Sequence, residues 1–238
     1  MSRSVVVVMA AYNAGKTLSP VVRGLRTSLP EAFIIGVNDG SSDGTGSLLR
    51  SVCDSAIDFA ENRGKGAALQ AGFAAALERG CDAVLTIDSD GQHDPAFAPS
   101  LIAALDHCHV AIGTRDLTGE QMPRHRRFAN FLSSAATRLV SGGAVKDSQS
   151  GFRAIRREVL EEIHARGDRY EFETDFIIRT ARASFSISNV PISTIYGPQS
   201  YFKAIADTMR VIGVLWGHRS GIFHKHVPRP TSCDSGEN

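Results

Sequence analysis

Short apolar runs alternate with helix-like stretches along the first half of the chain. Ser4 to Met9, Phe33 to Val37, Ala83 to Ile87 and Val110 to Gly113 are almost wholly apolar. The segments from about Gly15, from Gly64 to Glu78 and after Pro95 carry helical spacing instead. Strands that lack polar alternation are those covered on both faces, and strand–helix alternation is the rhythm of βαβ units. The pattern therefore predicts an α/β fold with a mostly parallel sheet flanked by helices on both faces. After Arg115 the rhythm changes. A basic cluster, Arg124-His125-Arg126-Arg127, opens a helix expected to run through about Val140 and to stop at Ser141-Gly142-Gly143. Further along come a short helix near Arg157 to His164, another opening at Tyr170 to Asp175, and a final strand from Ser186 to Ile192.

In such sheets ligands bind outside the carboxyl ends of the strands. Four expected strand ends are polar: Tyr12-Asn13, Asn38-Asp39-Gly40-Ser41, Asp88-Ser89-Asp90 and Thr114-Arg115. The third is the most telling. Two carboxylates spaced by one residue at the end of a buried strand repel each other, and a cation offsets that charge. Hard oxygen ligands favour Mg2+ or Mn2+. Asp94, before Pro95, is better read as a helix cap. At the second strand end, Asp39 is placed to accept hydrogen bonds from a base or a ribose. Gly64-Lys65-Gly66 sets a lysine at a helix start, where amides and dipole favour an anion. Neither a Walker P-loop nor a Gly-x-Gly-x-x-Gly turn after the first strand is present, which disfavours P-loop and dinucleotide enzymes.

Composition narrows the classes. With 238 residues the chain suits one well-buried core, expected over residues 1–226 with a disordered tail at 227–238. A formal charge of +1 gives no electrostatic case for nucleic acid. Cys53, Cys81, Cys108 and Cys233 lack paired spacing, which suggests reduced thiols and a cytoplasmic setting. No signal-peptide pattern and no uncharged run of membrane-spanning length is evident. Near the carboxyl end, Phe202, Ile205, Met209, Ile212 and Trp216 share one helical stripe, expected to pack on the domain or to lie in a membrane interface.

Ala11-Tyr12-Asn13, Asn38-Asp39-Gly40-Ser41, Gly64-Lys65-Gly66, Asp88-Ser89-Asp90-Gly91-Gln92-His93, Gly113-Thr114-Arg115, Asp147 with Ser150-Gly151-Phe152-Arg153, and Val190-Pro191-Ile192 occur in one order. This ordered set resembles family 2 glycosyltransferases, closest to dolichol-phosphate mannose synthases and bacterial polyprenyl-phosphate glycosyltransferases. The resemblance implies a GT-A fold with a Rossmann-like sheet. It implies that Ala11, Tyr12, Asn13, Asp39, Lys65, Asp88, Ser89 and Arg115 hold the nucleotide sugar, and that Asp88, Asp90 and Gln92 surround the metal. Three positions at the nucleotide end depart from the family pattern: Ala10 for its proline, Ala14 for its glutamate, and Asn38 for the first of two aspartates. Of the family's late arginine and lysine after Val-Pro-Ile, only the lysine has a counterpart, Lys203.

Expected partners are a GDP- or UDP-sugar, a polyprenyl phosphate or another acceptor, the inner membrane face as a peripheral contact, and a separate membrane subunit. The expected reaction is inverting and metal-dependent. A phosphate acceptor, with its second pKa of about 6, is already ionised and needs binding more than activation. Arg124, Arg126, Arg127 and Arg153 are candidates to bind it. A hydroxyl acceptor would instead need a base, for which Asp147 is the first candidate, as base or orienter, and Glu173 and Asp175 compete. A non-catalytic nucleotide-sugar-binding protein and a nucleotidyltransferase are the remaining alternatives.

Overall fold

Every residue of β1 (Val5–Ala11) is apolar, and the strand sits at the middle of the molecule with neighbours on both sides and both faces. The computed structural model describes residues 3–115, 147, 150–169 and 171–193. After β1 follow α1 (Leu18–Ser28), β2 (Phe33–Asn38), α2 (Thr45–Val52), β3 (Ser55–Asp58), α3 (Lys65–Glu78) and β4 (Ala83–Thr86). A 3-10 turn (Pro95–Phe97) leads into α4 (Ala98–Ala104), and β5 (Val110–Arg115) closes the first continuous stretch. Then come β6 (Arg153–Arg156), α5 (Arg157–Glu162), α6 (Glu171–Arg182) and β7 (Ile187–Ile192).

The sheet has seven strands in the order β3-β2-β1-β4-β6-β5-β7 among the described residues. All neighbouring pairs are parallel except those that β6 makes, antiparallel, with β4 and β5. The α/β architecture with a mostly parallel sheet is thus the one expected. Two strands lie where none was expected. Strand β3 is a half-exposed edge whose only apolar residues are Ala56 and Ile57. Strand β6 begins and ends in arginine, which hides two fully covered residues, Ala154 and Ile155.

Side-chain alternation in the strands divides the core in two. Val7, Met9, Ile34 and Leu85 point to a layer made with Leu18, Val22, Leu25, Leu101 and Leu105 of α1 and α4 and the turn after it. Val6, Val8, Ile35 and Val84 point the other way, to Leu69, Phe73, Val159, Phe172 and Phe176 of α3, α5 and α6. Helix α3 lies close on the sheet because it presents Gly72 to Val8. A Cβ at that position would stand 2.2 Å from Val8 Cγ1.

That contact yields a stability prediction. Gly72→Ala, although it favours the helix, should destabilise the protein by about 1–3 kcal/mol, because the β-branched Val8 has no room to retreat. Urea denaturation measures this, and an unchanged midpoint would show that α3 can lift off the sheet without cost.

Candidate active site

Parallel pairing brings the carboxyl ends of β1, β2, β4 and β5 to one edge of the sheet. The antiparallel β6 adds its amino end there, with Arg153 paired to both Thr86 and Ile112. The Ser150-Gly151-Phe152 approach to β6 thereby lies beside the end of β4, tied by a bond from Thr86 Oγ1 to the Gly151 carbonyl. Gly151 has a steric reason. A Cβ there would fall 2.3 Å from Asp88 Oδ1, so the Asp88 carboxylate rests against bare backbone.

Asp88 and Asp90 follow β4 and behave as a charged pair. Burial, reinforced by the charge of Asp88, pushes the Asp90 carboxyl up to about 6. Burial also works against ionised Asp88, but Lys65, His93 and Arg115 together outweigh it and hold this carboxyl below its ordinary value. Lys65 Nζ is 2.6 Å from Asp88 Oδ1. His93 is buried against Phe152, with Nε2 3.8 Å from Asp88 Oδ2, and burial pulls its pKa down to about 4, so the imidazole is neutral at physiological pH. Gln92 donates its backbone N–H to Asp90 Oδ1 at 2.9 Å. Two repelling carboxylates and a neighbouring amide side chain suit a hard divalent cation. Among the described residues no third acidic, histidine or cysteine ligand joins them in a cluster. Mg2+ is commonly held in this way, by one or two carboxylates with water and substrate phosphates completing the shell.

A cleft of about 350 Å³ opens next to the pair, lined by Tyr12, Asn13, Lys16, Asp43, Ser89 and Asp90 among others. Its walls are two loops locked together. Asn13 adopts a positive φ of 50°, and three successive amides from Asn13, Ala14 and Gly15 donate to Ser41 Oγ, Thr45 Oγ1 and Asp43 Oδ2. Asn13 Oδ1 in turn accepts from Ser42 N. The first loop therefore uses its amides to grip the second loop rather than to cradle phosphate, which agrees with the missing glycine-rich phosphate turn. Thr17 Oγ1 donates to the Ser89 carbonyl at 2.6 Å, and Ser89 Oγ to the Ala10 carbonyl at 3.0 Å, so both fasten the acid pair to β1. Lys16, Thr17 and Asp43 are site residues that the sequence does not reveal, since nothing in a local pattern marks loops that meet only in the fold.

Several expected site residues have structural duties. Ala11 buries its side chain in the core, and its carbonyl accepts from Asp39 N at 2.9 Å. The Asp39 carboxylate accepts from the amides of Arg63 and Gly64 and from Asn62 Nδ2, although burial, the larger influence, still raises its pKa. The anion expected at the start of α3 is therefore Asp39 itself. A further amide there, from Ala67, donates to the Asp168 carbonyl, which lies against Gly64 and Gly66. Asn38, the departure from the family aspartate, donates through Nδ2 to Asp58 Oδ1 at 2.8 Å. An aspartate at 38 would face the Asp58 carboxylate, and asparagine removes that repulsion.

The acids considered as bases are all paired. Arg115 grips Asp147 with two bonds, Nε to Oδ2 at 2.7 Å and Nη2 to Oδ1 at 3.1 Å, and Asp147 is fully buried. Asp175 accepts from Arg166 N and Arg179 Nε at 2.7 and 2.6 Å. Two residues apart on a helix means roughly 200° of rotation, so Glu173 faces the opposite way from Asp175. It is Glu173 that reaches the site, bonding Lys65 Nζ at 2.9 Å, with Arg153 Nη2 3.5 Å away. Arg153, expected as an acceptor-phosphate ligand, is turned inward, its Nε donating to the Ser150 carbonyl. Arg124, Arg126 and Arg127 lie outside the described residues, as does the carboxyl-terminal stripe from Phe202 to Trp216.

If Asp147 holds Arg115, removing it takes a bidentate carboxylate partner away from a largely buried guanidinium. Asp147→Ala should then cost about 3–5 kcal/mol of folding free energy, seen as a shifted denaturation midpoint. A loss of turnover with unchanged stability would instead mark Asp147 as a base and not an orienter.

The fold and these motifs agree with comparisons to known proteins. Residues 6–164 match the model for "Glycosyl transferase family 2". The undecaprenyl-phosphate mannosyltransferase of Micrococcus luteus is 32% identical over 204 residues, which cover 80% of this chain and 83% of that protein. The polyprenol monophosphomannose synthase of Mycolicibacterium smegmatis is 32% identical over 202 residues, 79% of this chain and 76% of its own. Among solved structures, glucosyl-3-phosphoglycerate synthase from Mycobacterium tuberculosis, in complex with Mn2+, UDP and glucosyl-3-phosphoglycerate, superposes with a TM-score of 0.75. It is 21% identical, with 91% of this chain and 80% of that chain covered, and shows the shared GT-A-like fold. With a family match over most of its length and relatives at this identity, the chain belongs to glycosyl transferase family 2.

Proposed function

We propose that this protein is an inverting, metal-dependent glycosyltransferase that moves a sugar from a GDP- or UDP-sugar onto a polyprenyl phosphate. The names of the relatives support this acceptor class. The observation that carries it is the state of the acids: Asp147, Asp175 and Glu173 are each held by cations. A hydroxyl acceptor needs one of them free as a base, whereas a phosphate monoester arrives ionised. Asp88 and Asp90, with the Gln92 side chain, are the residues proposed to hold Mg2+ or Mn2+. That ion supplies charge neutralisation for the departing nucleoside diphosphate.

The chain's own residues do the rest. Tyr12 and Asn13, on the loop locked by Ser41, Asp43 and Thr45, form the wall against which the nucleotide lies. Lys65 adds positive charge on the phosphate side, an electrostatic contribution realised in full as charge develops on the leaving group. Arg115, fixed by Asp147, adds a second cation at the end of β5. His93 and Phe152 pack together, with the His93 ring beside Asp88. Arg124, Arg126 and Arg127 are proposed to bind the acceptor phosphate. No helix among the described residues is long and apolar enough to cross a membrane. The proposed setting is peripheral, at the inner membrane face, with the Phe202 to Trp216 stripe in the interface and the lipid chain left in the bilayer.

The test is release of nucleoside diphosphate from a panel of GDP- and UDP-sugars, with and without a short-chain polyprenyl phosphate. Turnover should require both the lipid phosphate and a divalent metal, and Asp90→Ala should lower it by about 100-fold or more. Equal turnover with and without the lipid phosphate would defeat the acceptor assignment, and full activity of Asp90→Ala would defeat the metal assignment.

A further inference from the structure

Lys65 is held between two carboxylates, Asp88 Oδ1 at 2.6 Å and Glu173 Oε2 at 2.9 Å, with its side chain 17% exposed. The lysine sits at the first position of α3, and its neighbours Gly64 and Gly66 are clamped against the Asp168 to Phe172 backbone. Its base therefore cannot drift, while its four-carbon stem leaves the ammonium able to swing. Asp88 is also clamped, against Gly151 on one side. Two cations thus compete for one carboxylate: the ammonium of Lys65 and the divalent ion proposed for the Asp88–Asp90 pair.

Resting on that metal assignment, we infer that Lys65 is a built-in counter-ion for Asp88 which a divalent metal displaces. Glu173 is the parking place: it keeps the ammonium at the site when Asp88 is taken by the metal. Arg153, bound to the Ser150 carbonyl and 3.5 Å from Glu173 Oε1, keeps Glu173 from following Lys65. The exchange ties two events together. Metal entry frees Lys65 from Asp88 and leaves it able to take a phosphate oxygen of the donor. A donor that draws Lys65 away from Asp88 improves the metal site by the same factor, as linkage requires. Lys65 would then do more than bind the nucleotide: it makes metal binding without a donor weak.

Mn2+ binding in the absence of any nucleotide tests this, followed by the electron paramagnetic resonance of the free ion. Lys65→Met should bind Mn2+ about tenfold more tightly than the wild type, since a competing charge at contact distance is gone. Lys65→Arg, which keeps the competing positive charge beside Asp88, should bind Mn2+ far more like the wild type than Lys65→Met does. A second measurement uses the unaltered protein: the side-chain resonance of Lys65, assigned by its loss in Lys65→Arg, should move as Mg2+ is added and saturate with the metal site. Lys65→Met binding Mn2+ no better than wild type while folded, or a Lys65 resonance unmoved at Mg2+ saturation, overturns the inference. The resonance decides the matter if Lys65→Met unfolds. Loss of Mn2+ binding in Asp90→Asn shows that the metal site itself is correctly assigned; a wild type that binds no Mn2+ fails both proposals together.

Discussion

Two carboxylates at the end of a central strand, Asp88 and Asp90, are the constraint around which the rest of this edge is arranged. Left alone, like charges in a partly dehydrated place would protonate, and Asp90 is already pushed up to about 6. Asp88 stays ionised because Lys65 from α3 and Arg115 from β5 converge on it, with the His93 ring beside them. Each of those elements is placed by something the pair does not supply. Helix α3 is held by Asp39 and the Asp168 carbonyl, and Arg115 is aimed by Asp147. The reversed strand β6 brings Gly151, the surface on which Asp88 rests.

The same constraint shapes the loops. Instead of directing backbone amides at a phosphate, the turn after β1 directs three of them at Ser41, Thr45 and Asp43. That gives a rigid wall, against which the proposed nucleotide would lie with its phosphate charge met by side chains and metal. Paired acids complete the logic. With Asp147, Glu173 and Asp175 each held by a cation, the described residues are poorly suited to removing a proton, and well suited to an acceptor that brings its own negative charge.

Some of this is legible in the sequence and the rest is not, for physical reasons. Strands β1, β2, β4 and β5 are covered on both faces, so they stand out as apolar runs. Strand β3 is a half-exposed edge and β6 is framed by Arg153 and Arg156, so neither does. Asp88 and Asp90 are legible because a close acid pair after a buried strand is costly to keep unless a cation offsets its charge. The partners of Lys65 are not, because Asp88 and Glu173 meet it only through the packing of α3 and α6. Choosing between Glu173 and Asp175 needs the phase of a helix that is buried almost all round, and no local pattern fixes that. Arg153 reads as a surface phosphate ligand because it follows Ser-Gly-Phe in a polar stretch; the β6 pairing is what turns it inward.

If the acceptor is its own nucleophile, no acid of the enzyme takes a proton, and the pH dependence of kcat/KM reports this most directly. It is measured at saturating metal for a polyprenyl phosphate and for the matching phosphonate, whose second pKa is higher. The acidic limb should move upward with the acceptor's own ionisation. A limb that stays at one pH whichever acceptor is used would contradict this and restore an enzyme carboxylate as the base.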